Sequence, residues 1–515
     1  MGKQEIKNKS IMVQGTASSV GKSIVTAGLC RVFMQDGYSV APFKSQNMAL
    51  NSFITEEGHE MGRAQVVQAE AAGIKPNVLM NPVLLKPSTD KNAQVIFMGK
   101  VLKNMSAVEY HDFKVELKDM VKDSFDKLSA TNDIVVLEGA GSPAEINLRE
   151  NDIVNMGMAE LSDSPVILVG DIDKGGVFAS IYGTIMLVSE EERKRIKGVV
   201  INKFRGDVEI LKPGLKMIED LTGVPVLGVI PYSELRIEDE DSLSERFKWK
   251  KERKGQIKIE VLYLPHVSNF TDFNVFETQE DVDIRYVMRG ESIGDPDILI
   301  IPGSKNTIED LIYLKNSGLE EQILRLSRKG KFIVGICGGY QILGTSIIDP
   351  SHTESAVSET NGLGLINSKT VFETEKTTTQ VTGKSLGNLP SRLSALSGLS
   401  VKGYEIHMGQ TELGEEEQAF INIDSRLEEA VDVMDGAVNK SGNVFGSYIH
   451  GIFDDIEFTR TFLNIVRKEK GLDNIESEVK SFEEFKEIQY DKLADLIRAS
   501  LDMDKIYEIV KGCEE

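Results

Sequence analysis

The chain has 515 residues, of which 41 % are hydrophobic and 27 % charged, and 59 Lys and Arg against 81 Asp and Glu leave a formal charge of −22. That balance repels phosphate backbones at long range and argues against a nucleic-acid partner, while the composition excludes a disordered or collagen-like chain. No run approaches the ~20 apolar residues that cross a bilayer and the polar start lacks the apolar stretch of a signal peptide, so a cytoplasmic protein of two or three domains with no membrane partner is expected.

Ile11–Gln14 reads as the first strand, followed by small residues from Gly15 to Val20 and by Gly21, Lys22 and Ser23 at the head of a helix-like stretch, Ile24 to Gln35. Small residues let backbone N–H groups curl around phosphate oxygens, a lysine reaches the terminal phosphates, and a serine hydroxyl there ligates Mg²⁺. Gly21, Lys22 and Ser23 are therefore candidate nucleotide-binding residues. Five residues rather than four separate Gly15 from Gly21, which puts Thr16 in the place of the usual first glycine.

Further along, Lys44 follows a strand end and offers a second cation. Ile134–Leu137 runs into Glu138, a strand-end carboxylate of the kind that holds Mg²⁺ together with a phosphate-loop hydroxyl. Val166–Val169 leads to Asp171, Asp173, Lys174, Gly175 and Gly176, and Gly198–Ile201 leads to Asn202, a candidate reader of the nucleotide base. Val226–Ile230 closes the series. Strands alternating with helical stretches predict a mostly parallel sheet whose ligands lie beyond the strand C-termini, where all these polar clusters fall. Lys44, Arg63, Lys86, Arg149, Lys174 and Arg205 collect in the same segments of an acidic protein, which suggests an anionic ligand besides the nucleotide.

Residues 237–256 carry charges of both signs, the single Trp249 and no apolar period, and read as a linker. A second strand series then follows: Ile257–Leu264, Ile298–Ile301, Phe332–Ile336 and Asn443–Tyr448. In it, Phe332–Ile336 runs into Gly335, Cys337 and Gly339 ahead of a helix, a tight bend that would hold a nucleophile exposed. Cys30 and Cys513 lack this setting, and the wide cysteine spacing gives neither a disulfide framework nor a CxxC metal pattern. A thiolate needs a proton carrier. His450, at the end of a predicted strand, is the candidate and His407 its competitor. Backbone groups of Gly338 and of the turn beginning Pro302-Gly303 are the expected oxyanion donors. Residues 351–402 favour strands and loops, and Leu493, Leu496, Ile497 and Leu501 fall at helical spacing in the C-terminal tail. The expected boundaries are 1–236, 237–256, 257–460 and 461–515.

The second half resembles the class I glutamine amidotransferases, on Cys337, His450 and the Pro302-Gly303 turn. The first half resembles the dethiobiotin synthetase group of P-loop enzymes, which share the extra loop residue. Both halves in this order, with the motifs Gln46 to Asn51, Met80 to Pro87, Gly175 to Phe178 and Gly403 to His407, make residues 10–460 similar to the glutamine-dependent synthases of the cobalamin pathway. The resemblance implies an α/β fold of two domains, an N-terminal P-loop sheet and a C-terminal flavodoxin-like amidotransferase sheet. It further implies ATP- and Mg²⁺-dependent amidation of the b, d, e and g carboxylates of adenosylcobyrinic acid a,c-diamide, with L-glutamine as nitrogen source, Cys337 and His450 as the glutamine-cleaving pair and Lys44 beside the phosphoryl group. Many class I amidotransferases carry a glutamate two residues after the histidine. Here Ile452 stands there, so an acid from elsewhere or a Cys–His dyad is expected. The nearest alternative is the a,c-diamide synthase, which shares both halves.

Overall fold

In a computed structural model, residues 6–87, 92–237, 255–476 and 481–512 are described. Trp249, most of the charged stretch 237–256, and Cys513 lie outside them. The chain forms two compact units: Met1–Ala49, Met61–Ser242 and Lys486–Glu515 make the first, and Leu50–Glu60 with Leu243–Phe485 the second.

The first unit is built on six parallel strands in the spatial order Val226–Pro231, Ile196–Phe204, Val166–Asp171, Lys9–Gly15, Ile134–Glu138, Val40–Phe43. The inner strands are apolar on both faces and fully buried, as a sheet covered on both sides requires. Register does the rest. Val13 pairs with Glu138, Gly15 with Val169 and Asp171 with Asn202, so the polar residues that end these strands share one edge of the sheet. A smaller sheet, Gln46–Met48, Val83–Pro87, Asn92–Phe97 and Lys100–Ser106, leads into the long helix Ala107–Thr131, whose start is closed by reciprocal Ser106 and Glu109 hydrogen bonds.

The helix Lys22–Gln35 that follows the small-residue loop is buried along most of its length. Residues 486–512, at the far end of the sequence, supply much of its cover. A side chain at Gly28 would lie 2.5 Å from Ile497, and Arg31 bridges Glu487 and Asp491, both at 2.7 Å. Burying Leu493, Ile497 and Val510 contributes about 1.5–3 kcal/mol each, and the half-exposed ion pairs about 0.2–1. The apolar contacts dominate, as the helical spacing in the tail predicts.

The second unit holds a six-stranded sheet in the order Val282–Val287, Ile257–Leu262, Ile298–Ile301, Phe332–Ile336, Val444–Ser447, Ala437–Val438, parallel except for the last pair. Beside it lies a second, mostly antiparallel sheet built on Ser368–Ser385 and Ser400–Leu413, in the stretch expected to hold strands and loops. One contiguous apolar core joins them. The segment 50–60 comes from the first part of the sequence yet belongs here: Ile54 packs with Tyr404 and Ile406, and the Tyr404 hydroxyl donates to the Ser52 carbonyl at 3.1 Å. Among the described residues no helix is long and apolar enough to cross a membrane.

Candidate functional site

In the first unit, Gly21 closes the small-residue loop in the left-handed region, φ +97°, where a Cβ would fall 2.1 Å from Asn202 Nδ2. Only glycine satisfies both the backbone and the approach. Lys22 lies buried, its ammonium donating to the carbonyls of Ala17 at 3.0 Å and Gly141 at 3.1 Å, which curls the side chain back over its own loop. Ser23 donates to Glu138 Oε1 at 2.9 Å, and Lys44 meets the same oxygen at 3.1 Å. Gln68 donates to the other carboxylate oxygen at 2.5 Å. Burial by itself would raise the Glu138 carboxyl; Lys44 and Lys22 outweigh it, with help from the Gln68 amide, and hold it below the usual glutamate range. Ser23, Lys44, Lys22 and Glu138 thus converge from three separate stretches of sequence.

An ionised, buried carboxylate beside a serine hydroxyl is a pair of hard oxygen donors and fits a Mg²⁺ ion. Asn202, expected to read a base, donates its amide to the Val20 carbonyl at 2.9 Å and so braces the loop. Next to it Lys203, for which the sequence suggested no role, ties the Ser19 carbonyl at 2.9 Å to Asp171 at 3.2 Å. The Thr16 N–H donates to the Val169 carbonyl at 3.0 Å, an extension of the sheet edge. Of the cations expected to greet an anionic ligand, Arg149 is paired with Glu192, and Arg205 with Asp173 while lying over the Tyr232 ring. These two are drawn into the protein's own structure. Gln68 lies outside the motifs read from the sequence; its only signal is that it belongs to Arg63–Ala71, a helix in which Arg63, Gln65 and Gln68 are buried.

In the second unit, Phe332–Ile336 runs into Cys337 at φ +50°, ψ −107°, an uncommon conformation for a non-glycine residue and one associated with functional sites. The bend lets the following turn press on its neighbour: a side chain at Gly339 would fall 2.0 Å from the Ile301 carbonyl. Cys337 is only 7 % exposed, where an exposed nucleophile was expected. The cause is the second sheet, whose Ile406 carbonyl lies 3.7 Å from the sulfur. Gly338 borders Ser304 and Gly303 lies against the His450 ring, so both glycines expected on the oxyanion side flank the pair.

His450 is fully buried, and the Cys337 sulfur lies near enough to raise the basicity of its ring. On its other side Nδ1 lies 2.8 Å from Asp272 Oδ2, and Asp272 Oδ1 accepts the Gly451 N–H at 2.9 Å. Tyr404 stacks on the imidazole with centroids 5.3 Å apart. Burial would pull the ring's basicity down; the Asp272 carboxylate and then the Cys337 sulfur override it and push the imidazole up to about 10. His407 is engaged elsewhere, with Nδ1 2.8 Å from the Gly409 carbonyl and its ring stacked on Tyr448. Asp272 takes the place left by Ile452. It is 178 residues from His450 and sits in a short helical turn, Phe270–Phe273, with no local motif to announce it. The constellation of thiol, imidazole and carboxylate is that of a nucleophile with a general base held in orientation by an acid.

Comparison with known proteins matches residues 11–243 to the CobQ/CobB/MinD/ParA nucleotide binding domain and residues 258–458 to the CobB/CobQ-like glutamine amidotransferase domain. Over 501 residues the chain is 59 % identical to a cobyric acid synthase of Thermoanaerobacter sp. (strain X514), covering 97 % of this chain and 98 % of that one. It is 58 % identical to a cobyric acid synthase of Alkaliphilus metalliredigens (strain QYMF), covering 97 % and 100 %. A cobyric acid synthase of Streptococcus sanguinis (strain SK36) is 57 % identical over 512 residues.

Proposed function

From its membership of the cobyric acid synthase family, a group of ATP-binding, glutamine-dependent amide ligases to which this chain belongs, we propose that it is an adenosylcobyric acid synthase. It amidates the b, d, e and g carboxylates of adenosylcobyrinic acid a,c-diamide with nitrogen from L-glutamine. The observation that carries this reading is the presence in one chain of a lysine-rich cradle around Glu138 and a Cys337–His450–Asp272 constellation.

A carboxylate is a poor acyl donor. Transfer of the γ-phosphoryl group of ATP to a carboxylate oxygen releases ADP and leaves an acyl phosphate, whose phosphate is a good leaving group. Lys22 and Lys44 offset the charge that develops on the phosphoryl oxygens. Ser23 and Glu138 would hold Mg²⁺, which supplies further charge neutralisation on the nucleotide phosphates. In the second unit His450, kept protonated by Asp272, already holds the Cys337 proton on Nε2, and the sulfur attacks the side-chain amide carbon of glutamine. The C–N bond breaks, His450 returns the proton to the departing nitrogen, and water cleaves the thioester to give glutamate. Ammonia then displaces phosphate from the acyl phosphate to form the amide.

Incubation with the corrinoid diamide, ATP and glutamine, followed by mass spectrometry, tests the substrate assignment. Four successive replacements of hydroxyl by amide are expected. Inertness toward the diamide, with two additions to the unamidated acid, would assign the chain to the a,c-diamide reaction instead.

Asp272→Asn is expected to keep the fold and lose about 10²-fold in glutaminase kcat, since an amide cannot hold the Nδ1–H tautomer in the same way or stabilise the imidazolium. Because the carboxylate raises the imidazole, its removal should move the alkaline limb of kcat/KM down by at least about one pH unit. An unshifted limb would remove Asp272 from the mechanism.

A further inference from the structure

The ring of His450 has a third polar neighbour. Asn269 Nδ2 lies 3.4 Å from His450 Nε2, the ring nitrogen that Asp272 leaves open. An amide can present either its oxygen or its NH₂ group, and the two have opposite effects on an imidazole. Here the choice is fixed by a backbone group. The Ser52 N–H donates to Asn269 Oδ1 at 2.9 Å, which commits the oxygen to Ser52 and turns the NH₂ group toward His450. Asn269 stands in the left-handed region, φ +53°, at the start of the turn that also carries Asp272. The segment that orients it is anchored twice more: the Asn51 side chain accepts the Phe270 N–H at 3.3 Å, and the Ser52 carbonyl accepts from Tyr404, the residue stacked on the imidazole.

We propose that Asn269, oriented by Ser52, is a positioning residue that sets the direction of proton traffic at His450 Nε2. The inference rests on the assignment of Cys337 and His450 given above. In the neutral ring, Asp272 accepts from Nδ1–H, and Asn269 donates toward the Nε2 lone pair, so both partners select the one tautomer that can take a proton from sulfur. In the protonated ring, Asn269 offers Nε2–H a donor rather than an acceptor. The proton is thereby turned toward the sulfur and the departing nitrogen. The first half of the sequence, through Asn51 and Ser52, thus shapes the base of the second unit.

The discriminating substitution is Asn269→Asp. It preserves size and the acceptor for the Ser52 N–H, yet places a charged acceptor opposite Nε2. Among the described residues, the titratable groups that act on or stack against this ring are Asp272, Cys337 and the Tyr404 phenol, all unchanged in the variant. Glutaminase kcat is expected to fall about 30-fold with KM for glutamine held within about twofold, and the alkaline limb to move up, opposite in sign to Asp272→Asn. Ammonium-supported amidation should match wild type. An unchanged kcat and pH profile would overturn the proposal, as would equal loss of the ammonium-supported reaction. Independently of any variant at this position, ¹⁵N spectra of histidine-labelled wild-type protein, assigned with His450→Gln, should show the neutral His450 ring protonated at Nδ1. Protonation at Nε2 would overturn the proposal. A Cys337→Ala protein that still hydrolysed glutamine would instead defeat the underlying assignment.

Discussion

Cys337→Ala is expected to reduce glutamine-supported amidation by more than about 10⁴-fold while leaving ammonium-supported amidation within about twofold of wild type. The two units divide the labour. The thiol forms the only bond that glutamine makes to the protein in the proposed cycle, and alanine leaves His450 with no sulfur to deprotonate. The residual rate from a positioned water falls far below the thioester route. Cys337 belongs to the packed core of the second unit, so removing its sulfur leaves a cavity of one atom and a modest stability cost, on the order of 1 kcal/mol. The backbone bend is set by the strand and by the glycine that follows, and survives the change. Paired assays with glutamine and with ammonium, each followed by product mass, decide the matter. Loss of both reactions would show that the sulfur supports the fold or that the nucleophile lies elsewhere.

The complementary result concerns Lys22→Ala, which should lower amidation on the order of 10³-fold with either nitrogen source. Lys22 is held over its loop by the carbonyls of Ala17 and Gly141, ready to exchange those neutral acceptors for phosphate oxygens, which bind an ammonium more strongly. Its loss also removes one of the two cations that keep Glu138 ionised, although Lys44 remains at 3.1 Å and sustains most of the effect. The reading is therefore specific. Thermal melting without nucleotide should change little, whereas the stabilisation given by saturating ATP should shrink. A variant that amidates within tenfold of wild type would show that the cradle works through Lys44 alone.

How far the sequence discloses these sites depends on distance along the chain. The loop from Gly15 to Ser23, the strand ending in Glu138 and the bend at Cys337 are each written within a dozen residues, because a strand, a turn and a helix start are local events. Their convergence follows from parallel register, which an alternating pattern implies. Asp272 and Asn269 are different. They reach His450 across about 180 residues through the packing of a short turn, and nothing in their immediate neighbours distinguishes them from ordinary turn residues. The choice between His450 and His407 likewise needed coordinates, since each follows an extended stretch of the second half and only packing shows which ring meets Asp272. The burial of Cys337 has a related cause: the sheet that covers it comes from residues 368–413, and its Ile406 carbonyl meets the sulfur with no trace in the local sequence around the elbow. Asn202 shows the reverse case, a polar strand end that parallel register alone brings to the loop, where it meets the Val20 carbonyl.

Leu50–Glu60 has a consequence for how the gene can be divided. Its hydrogen bonds to Asn269 and Phe270 mean that a fragment starting after the charged stretch at 237–256 would carry Cys337, His450 and Asp272 but leave behind eleven residues of its own framework. The natural seam in the coding sequence is therefore not a seam in the protein. Fusion of the two halves is more than a convenience of co-expression, and a split version would have to return that short ribbon, as a peptide or by circular permutation, before its glutaminase could be compared with the parent.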